Sequence, residues 1–431
     1  MRIRDPIHGP IPVSDEEKAV IDSRVYQRLR GIRQLGFGDL AFPGATHTRH
    51  AHSLGAMHVA SRLFDTVAGR AGLPLEVCHR FRSAARLAVL CHDLGHMPLS
   101  HASESIAPAR RLLGLPSWLG ESPEGVLASH EDFTAKMLLH SELAEIIRQQ
   151  FGPQGLTPEA VTSLITGQEP PGGLSFLHQG VDWTPLLRAL VSGELDADRM
   201  DYLLRDSFYT GVNYGRYDID WIVNNLRPAV KDGKAYLALA RVAAFAFEDF
   251  LLSRYHMFVS VYYHHTAVNF DYMLRRYYEE TPGEFEIPAD PEQFLLCDDA
   301  SLRHTLKRSK NRWAERIVWR RGYKLLAQWT ERDEGYDMDA LVGALTAAGV
   351  EHFKVESLGV LSKYTGEEGA RPPGLFILDT TTERLTEVSK YTPLYQRYSG
   401  PVRLSRVYVR PDLIEPGREV LARVMHAKGT P

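Results

Sequence analysis

The stretch Leu87-Ala88-Val89-Leu90-Cys91-His92-Asp93-Leu94-Gly95-His96 decides how this chain is read. An apolar run with the pattern of a buried helix leads straight into an imidazole and a carboxylate side by side. Burying that carboxylate costs several kcal/mol unless something compensates it. A metal ion is the simplest compensation, because imidazole and carboxylate are its usual ligands. Neighbouring helix residues point about 100° apart, so His92 and Asp93 reach one ion only at a helix end. Gly95 supplies that break. Eight of the chain's 18 histidines fall between His47 and His101. Working outward, His52 stands at the start of one predicted helix and Asp198 at the start of another. With His92 and Asp93 they make four candidate metal ligands.

The composition sets bounds on the rest. The length of 431 residues suits one large domain, or a main body with a smaller lobe. With 44% hydrophobic and 24% charged residues, the chain reads as a soluble globular protein. A net charge of -4 excludes a global bias toward nucleic acid or anionic lipid. Cys78, Cys91 and Cys297 show no CxxC spacing and cannot form a disulfide framework. The start Met1-Arg2-Ile3-Arg4 lacks a signal-peptide stretch, and no run is long enough to span a membrane, so a cytoplasmic protein is expected.

Helical patterning dominates from residue 14 to about 330. Ser14-Asp15-Glu16-Glu17 reads as a capped helix start. Residues 53–68, 80–92, 129–150 and 198–208 read as helices, and 245–280 as one long aromatic-rich helical stretch. Arg227 to Ala240 predicts a hairpin around Lys231-Asp232-Gly233-Lys234. After about Gly335 the pattern changes, with strands expected at 353–356, 375–378 and 402–409 and a closing helix at 415–426. The expectation is a mainly α fold: a helical catalytic body over 1–330 with a core at about 48–206, then a C-terminal α+β lobe over 331–431.

His52, then His92-Asp93, then Asp198 resembles the ordered H…HD…D signature of the HD-domain metal-dependent phosphohydrolases. Asp5-Pro6-Ile7-His8-Gly9, Gln27-Arg28-Leu29-Arg30, Gln34-Leu35-Gly36, Phe42-Pro43-Gly44-Ala45 and His92-Asp93-Leu94-Gly95-His96 occur in order. Together they resemble the deoxynucleoside triphosphate triphosphohydrolase branch, over residues 1 to about 280. The resemblance implies an HD-domain helical bundle that cleaves a dNTP into deoxynucleoside and tripolyphosphate.

The resemblance also assigns roles. His130 is implied as general acid or helper of the nucleophile, with Glu104 as its carboxylate partner. The animal enzymes of the branch carry aspartate at the position of Glu104. His96 and His101 match pocket histidines that face the phosphates. Arg49, Arg199 and Arg254 match phosphate-binding positions, and Gln34, Leu35, Tyr202, Asp206 and Tyr262 match substrate-binding ones. Spacing alone puts Asp198, Tyr202 and Asp206 on one helix stripe at i, i+4 and i+8. Phe258 and Ser260 stand where the animal enzyme has a histidine and an arginine, so the substrate grip differs there. Asp22, Gln27 and Arg30 match an activating guanine site, which implies a GTP or dGTP activator.

One divalent ion is expected, and two His with two Asp suit Fe, Mn, Zn, Ni or Mg. A second Mg on the triphosphate is left open. The resemblance further implies a homo-oligomer, dimer or tetramer. Two other functions stay open: an HD phosphohydrolase of another nucleotide or nucleic-acid phosphoester, and a non-catalytic nucleotide sensor. The DPIHG segment reads as an ordered turn without a direct catalytic role. His47 and His50 are metal candidates by proximity alone, and His58, His79, His140 and His178 read as structural or exposed.

Overall fold

The computed structural model describes residues 1–173, 176–330, 333, 337–360, 374–398 and 401–427. The expected change of pattern at Gly335 lies outside them. The fold is mainly α. Its main helices are α1 (Asp15–Ile21), α2 (Arg49–Ala71), α3 (Leu75–Cys91), α4 (His130–His140), α5 (Glu142–Phe151), α6 (Pro158–Thr166), α7 (Thr184–Val191) and α8 (Ala197–Thr210). Then come α9 (Ala244–Met257), α10 (His265–Glu280), α11 (Asp299–Arg308), α12 (Arg312–Val318), α13 (Met338–Ala347) and α14 (Ile414–Ala427). The main strands are β1 (Arg2–Asp5), β2 (Gly9–Pro12), β3 (Leu226–Lys231), β4 (Lys234–Ala240), β5 (Lys324–Thr330), β6 (His352–Val360), β7 (Phe376–Asp379), β8 (Arg384–Glu387) and β9 (Pro401–Val409).

The bundle is organised around α2. Leu54, Met57, Ala60, Leu63, Phe64 and Val67 are buried along it, and it packs most extensively on α3 and α8. The helix starts follow local chemistry. Ser14 and Glu17 form the reciprocal capping box expected at α1, and Ser129 with Asp132 forms another at α4. Residues 129–150 are two helices rather than one. Ser141 accepts from the Leu143 amide and starts a second N-terminus, which turns the chain at that point. Residues 245–280 are likewise broken, because a π-helical turn over Phe258–Tyr262 separates α9 from α10.

The β3–β4 hairpin forms as expected, with Asp232 and Gly233 both at positive φ (50° and 71°), as its two-residue turn demands. β4 also pairs in parallel with β7, and β7 antiparallel with β8, so residues 376–387 join the sheet of the helical body. A separate antiparallel sheet runs in the order β5-β9-β6. Beneath it α13 and α14 bury Leu341, Leu345 and Val420 against Val407 and Val409. Phe353 and Tyr408 of this sheet pack on Phe270, Met273 and Tyr277 of α10, which seats the small lobe against the bundle. Among the described residues no helix is long and apolar enough to cross a membrane.

Candidate active site

The apolar run ends where the chemistry begins. Helix α3 stops at Cys91, and His92 is its C-cap. The next turn is pressed against α4: Gly95 N–H donates to Thr134 Oγ1, and Thr134 Oγ1–H donates to the His92 carbonyl, both at 3.0 Å. A Cβ on Gly95 would collide with the His130 carbonyl and the Thr134 amide. Gly95 therefore does more than break a helix. It lets the loop carrying the HD pair touch the helix that carries His130.

His52 from α2, His92 from the end of α3 and Asp198 from the first turn of α8 converge, with one donor atom of each within 4.8 Å of the others. Asp198 Oδ1 lies 3.0 Å from His52 Nε2 and 3.5 Å from His92 Nε2. Asp93 borders the group, with Oδ1 3.2 Å from His92 Nε2 and Oδ2 3.7 Å from His52 Nε2. Its Oδ2 also accepts from Arg49 Nη1 at 2.5 Å.

The other face of each imidazole fixes its tautomer. His92 Nδ1 is 2.6 Å from the Val89 carbonyl, and His52 Nδ1 is 2.8 Å from Asp201 Oδ2. A carbonyl can only accept, and a carboxylate accepts when ionised, so both Nδ1 atoms carry the proton and both Nε2 atoms hold a lone pair. Both Nε2 atoms are buried without an aligned hydrogen bond among the described residues. Two orphaned imidazole nitrogens facing two aspartates fit a divalent ion. The local electrostatics agree. Burial works against a charge on His52, but the Asp198 and Asp201 carboxylates outweigh it and favour positive charge at this position. Carboxylates that crowd an imidazole this strongly call for a cation.

Asp201 was not singled out from the sequence, and it anchors a buried network. Its Oδ1 is 2.6 Å from His8 Nε2, and Arg205 grips it twice, at 2.8 and 2.9 Å. Arg205 Nη1 then reaches Asp5 Oδ2 at 2.8 Å. The DPIHG turn between β1 and β2 thus braces the far side of His52. Gly55 makes room for it, since a Cβ there would strike Arg205 and Asp201.

Beside this group His130 Nδ1 lies 2.7 Å and His101 Nδ1 3.0 Å from the same oxygen, Glu104 Oε1. The His96 ring stacks on His130 with centroids 4.2 Å apart. Burial would raise Glu104, but its hydrogen bonds to His101 and His130 win and hold it well below the usual carboxylate range. Burial, then the nearby Arg49 and His130 charges, push His96 well below the usual imidazole value.

Beside them lies a cavity of about 740 Å³, whose wall includes His92, Asp93, His96, Gln34, Leu35, Arg49, His101, His130, Asp198, Tyr202, Asp206 and Tyr262 but not His52 or Glu104. The i, i+4, i+8 stripe of α8 thus lines one wall. Asp206 is fully engaged, 2.7 Å from His47 Nε2 through Oδ1 and accepting from Tyr262 O–H at 2.9 Å through Oδ2. His47, read as a metal candidate by proximity, instead holds the far end of the cavity and stacks on Tyr209. Arg199 and Arg254 are buried but do not border the cavity. Arg199 Nη1 donates to the Gly193 carbonyl, and Arg254 Nη1 lies 3.9 Å from Glu194 Oε2. Gln27 and Arg30 bond each other at 2.7 Å on the surface, while Asp22 is paired with Lys18. None of these three lines the cavity.

Two family models match the chain: the HD domain over residues 49–205, and the HD-associated region over residues 218–349. The first span holds His52, His92, Asp93, Glu104, His130 and Asp198. An uncharacterized protein of Methanocaldococcus jannaschii, MJ1154, is 30% identical over 331 residues, covering 77% of this chain and 60% of that one. The uncharacterized YwfO of Bacillus subtilis is 33% identical over 262 residues, covering 61% and 51%. Human deoxynucleoside triphosphate triphosphohydrolase SAMHD1 is 30% identical over 314 residues, covering 69% and 44%. The chain therefore spans from under half to three fifths of the length of these curated relatives. A crystal structure of a hypothetical protein from Aquifex aeolicus superposes with a TM-score of 0.73 at 27% identity, covering 98% of this chain and 99% of that one. The chain thus carries an HD domain followed by an HD-associated region, and the four candidate metal ligands lie inside the first.

Proposed function

We propose that this chain is a metal-dependent phosphohydrolase whose substrate is a deoxynucleoside triphosphate, cleaved to deoxynucleoside and tripolyphosphate. The observation that carries the reading is the convergence of two buried imidazole nitrogens and Asp198 beside the Glu104–His130 pair, with His92, Asp198 and His130 on the wall of one cavity. The similarity to SAMHD1 supports the choice of substrate.

His52, His92, Asp93 and Asp198 would hold the ion. When bound, it neutralises phosphoryl charge and polarises the phosphorus for attack. The remaining work falls to the chain's own side chains. Water adds to the α-phosphorus, the bond to the 5′ oxygen breaks, and that oxygen takes up a proton. His130 would transfer that proton, a reading supported by its Nδ1 contact with Glu104 and its position on the cavity wall. His96 and His101 flank it, and Arg49 supplies fixed positive charge on the wall. Gln34, Leu35, Tyr202, Asp206 and Tyr262 form the end that takes the sugar. Arg199 and Arg254 act from behind that wall, setting its potential. Activation by GTP or dGTP at Asp22, Gln27 and Arg30, and assembly into a homo-oligomer, belong to the same proposal.

The test is product identification with purified, metal-analysed protein on each dNTP, with and without GTP. Tripolyphosphate and deoxynucleoside are expected. Monophosphate products would point instead to another phosphoester, and no turnover with metal loaded to a sensor. His92→Ala/Asp93→Ala is expected to lose the ion and all hydrolysis while keeping its helical circular dichroism. Full activity in that variant would refute the metal reading.

A further inference from the structure

Leu99 and Ser100 stand in succession at φ 55° and 57°, in the left-handed region that residues with a Cβ avoid. Such conformations persist only where surrounding contacts force them, and they gather at functional sites. Both residues line the cavity. The contacts that force them are visible. Leu99 N–H donates to Asp299 Oδ1 at 2.7 Å, and Ser100 N–H closes the turn onto the Met97 carbonyl at 2.8 Å.

Asp299 is the first residue of α11 and does not line the cavity itself. Its other oxygen holds a second loop, because Arg33 N–H donates to Oδ2 at 3.0 Å. Ser100 Oγ–H donates to the Arg33 carbonyl at 3.1 Å, so the Arg33 backbone is held at both ends. Gln34 and Leu35, on the cavity wall, follow directly. The same Ser100 Oγ accepts from Arg49 Nε at 3.0 Å, and Arg49 Nη1 reaches Asp93 Oδ2 at 2.5 Å. An unbroken line of contacts thus runs from Asp299 through the strained turn to Arg49 and the HD pair. Only an ionised carboxylate offers an acceptor to each loop, since an amide in its place keeps a single acceptor oxygen.

We infer that Asp299 is a positioning residue, which holds the Leu99–Ser100 turn and the Arg33 loop in register so that Ser100 orients Arg49. What Arg49, Gln34 and Leu35 then grip rests on the function proposed above. A residue of the HD-associated region, 200 positions from Leu99, in this way shapes the wall of the HD site.

The experiment compares Asp299→Ala, Ser100→Ala, the double variant and Asp298→Ala in the full chain. Asp298 caps α11 next door, so its loss lowers the melting temperature while leaving kcat/KM near wild type. Ser100→Ala breaks only the link to Arg49 and is expected to lower kcat about tenfold with KM nearly unchanged. Asp299→Ala is expected to lower kcat by a similar factor and also to raise KM, because the loop before Gln34 is freed. Residues on one line of contacts do not act additively, so kcat of the double variant should fall no further than that of Asp299→Ala. Additive losses in kcat, or kinetics of Asp299→Ala no worse than those of Asp298→Ala, overturn the inference. A second arm needs no nucleotide. Amides in peptides spanning residues 31–36 and 97–101 should exchange with deuterium about tenfold faster in Asp299→Ala. Unchanged exchange there also overturns the inference. A wild-type chain that turns over no dNTP fails the substrate reading alone, and the exchange arm still upholds or overturns the hold of Asp299 on the two loops.

Discussion

At the scale of the residue, the site is built as much by what stands behind the candidate ligands as by those residues themselves. Asp201 is fully buried and holds His52 Nδ1 at 2.8 Å while Arg205 and His8 hold Asp201. Asp201→Asn keeps an acceptor for His52, removes the charge and turns a donating amide toward His8 and Arg205 Nη2. The expected outcome is a metal affinity about 10–100-fold weaker, read by competition with a chelator. An unchanged dissociation constant would show that the buried brace behind His52 does not govern metal affinity. The candidate ligands were legible because HD in a short apolar context and its flanking motifs are local patterns. Asp201 was not, since an Asp–Arg pair at i, i+4 on a helix reads as a surface ion pair. Its partners Asp5 and His8 lie far away in sequence, and no spacing rule links them. The same holds for His47, whose tie to Asp206 spans 159 positions.

At the scale of the element, close approach matters more than helix content. Gly95 sits where α4 crosses the HD loop, and a methyl group there meets backbone rather than a movable side chain. Gly95→Ala is therefore expected to cost about 1–3 kcal/mol, the range for overpacking a well-filled contact. It should also part His130 from the metal group. A fall in melting temperature together with lost turnover is the expected pair of readings, and a variant as stable and active as wild type would show that the loop has slack. Helix positions came through the sequence well, because apolar periodicity reports them directly. Two long helices did not stay whole. The break before α5 had a visible signal in the Ser141-Glu142 cap, whereas the π-helical turn at Phe258–Tyr262 changes hydrogen-bond register without changing the residue pattern.

At the scale of the whole molecule, buried charge sets the response to pH. Burial, with Arg30 nearby, lowers His50 from 6.5 to about 4. Burial, with His8 and Arg62, lowers His58 from 6.5 to about 4. Their folded values lie below the unfolded one, so the unfolded chain takes up protons first as pH falls. Stability is therefore expected to drop between pH 6.5 and 4, before the depressed carboxylates begin to protonate. Melting temperatures across that window test this, and His50→Gln/His58→Gln should flatten the slope. An equally steep slope in the double variant would assign the loss elsewhere.

The hairpin of β1 and β2 offers a remote view of the same centre. Two strands alone are marginal in water, and this pair is held by buried Ile11 and by the Asp5–Arg205 and His8–Asp201 contacts. If His52 holds an ion, its loss would leave His52 and Asp201 with altered charge, and those contacts are the first that would feel it. Amide hydrogens of residues 2–12 should then exchange faster with deuterium once the ion is stripped, while those of α14 keep their protection. Equal rates with and without metal would mean the hairpin does not sense the ion. The first turn of the chain would otherwise serve as a gauge of metal occupancy, readable without any substrate.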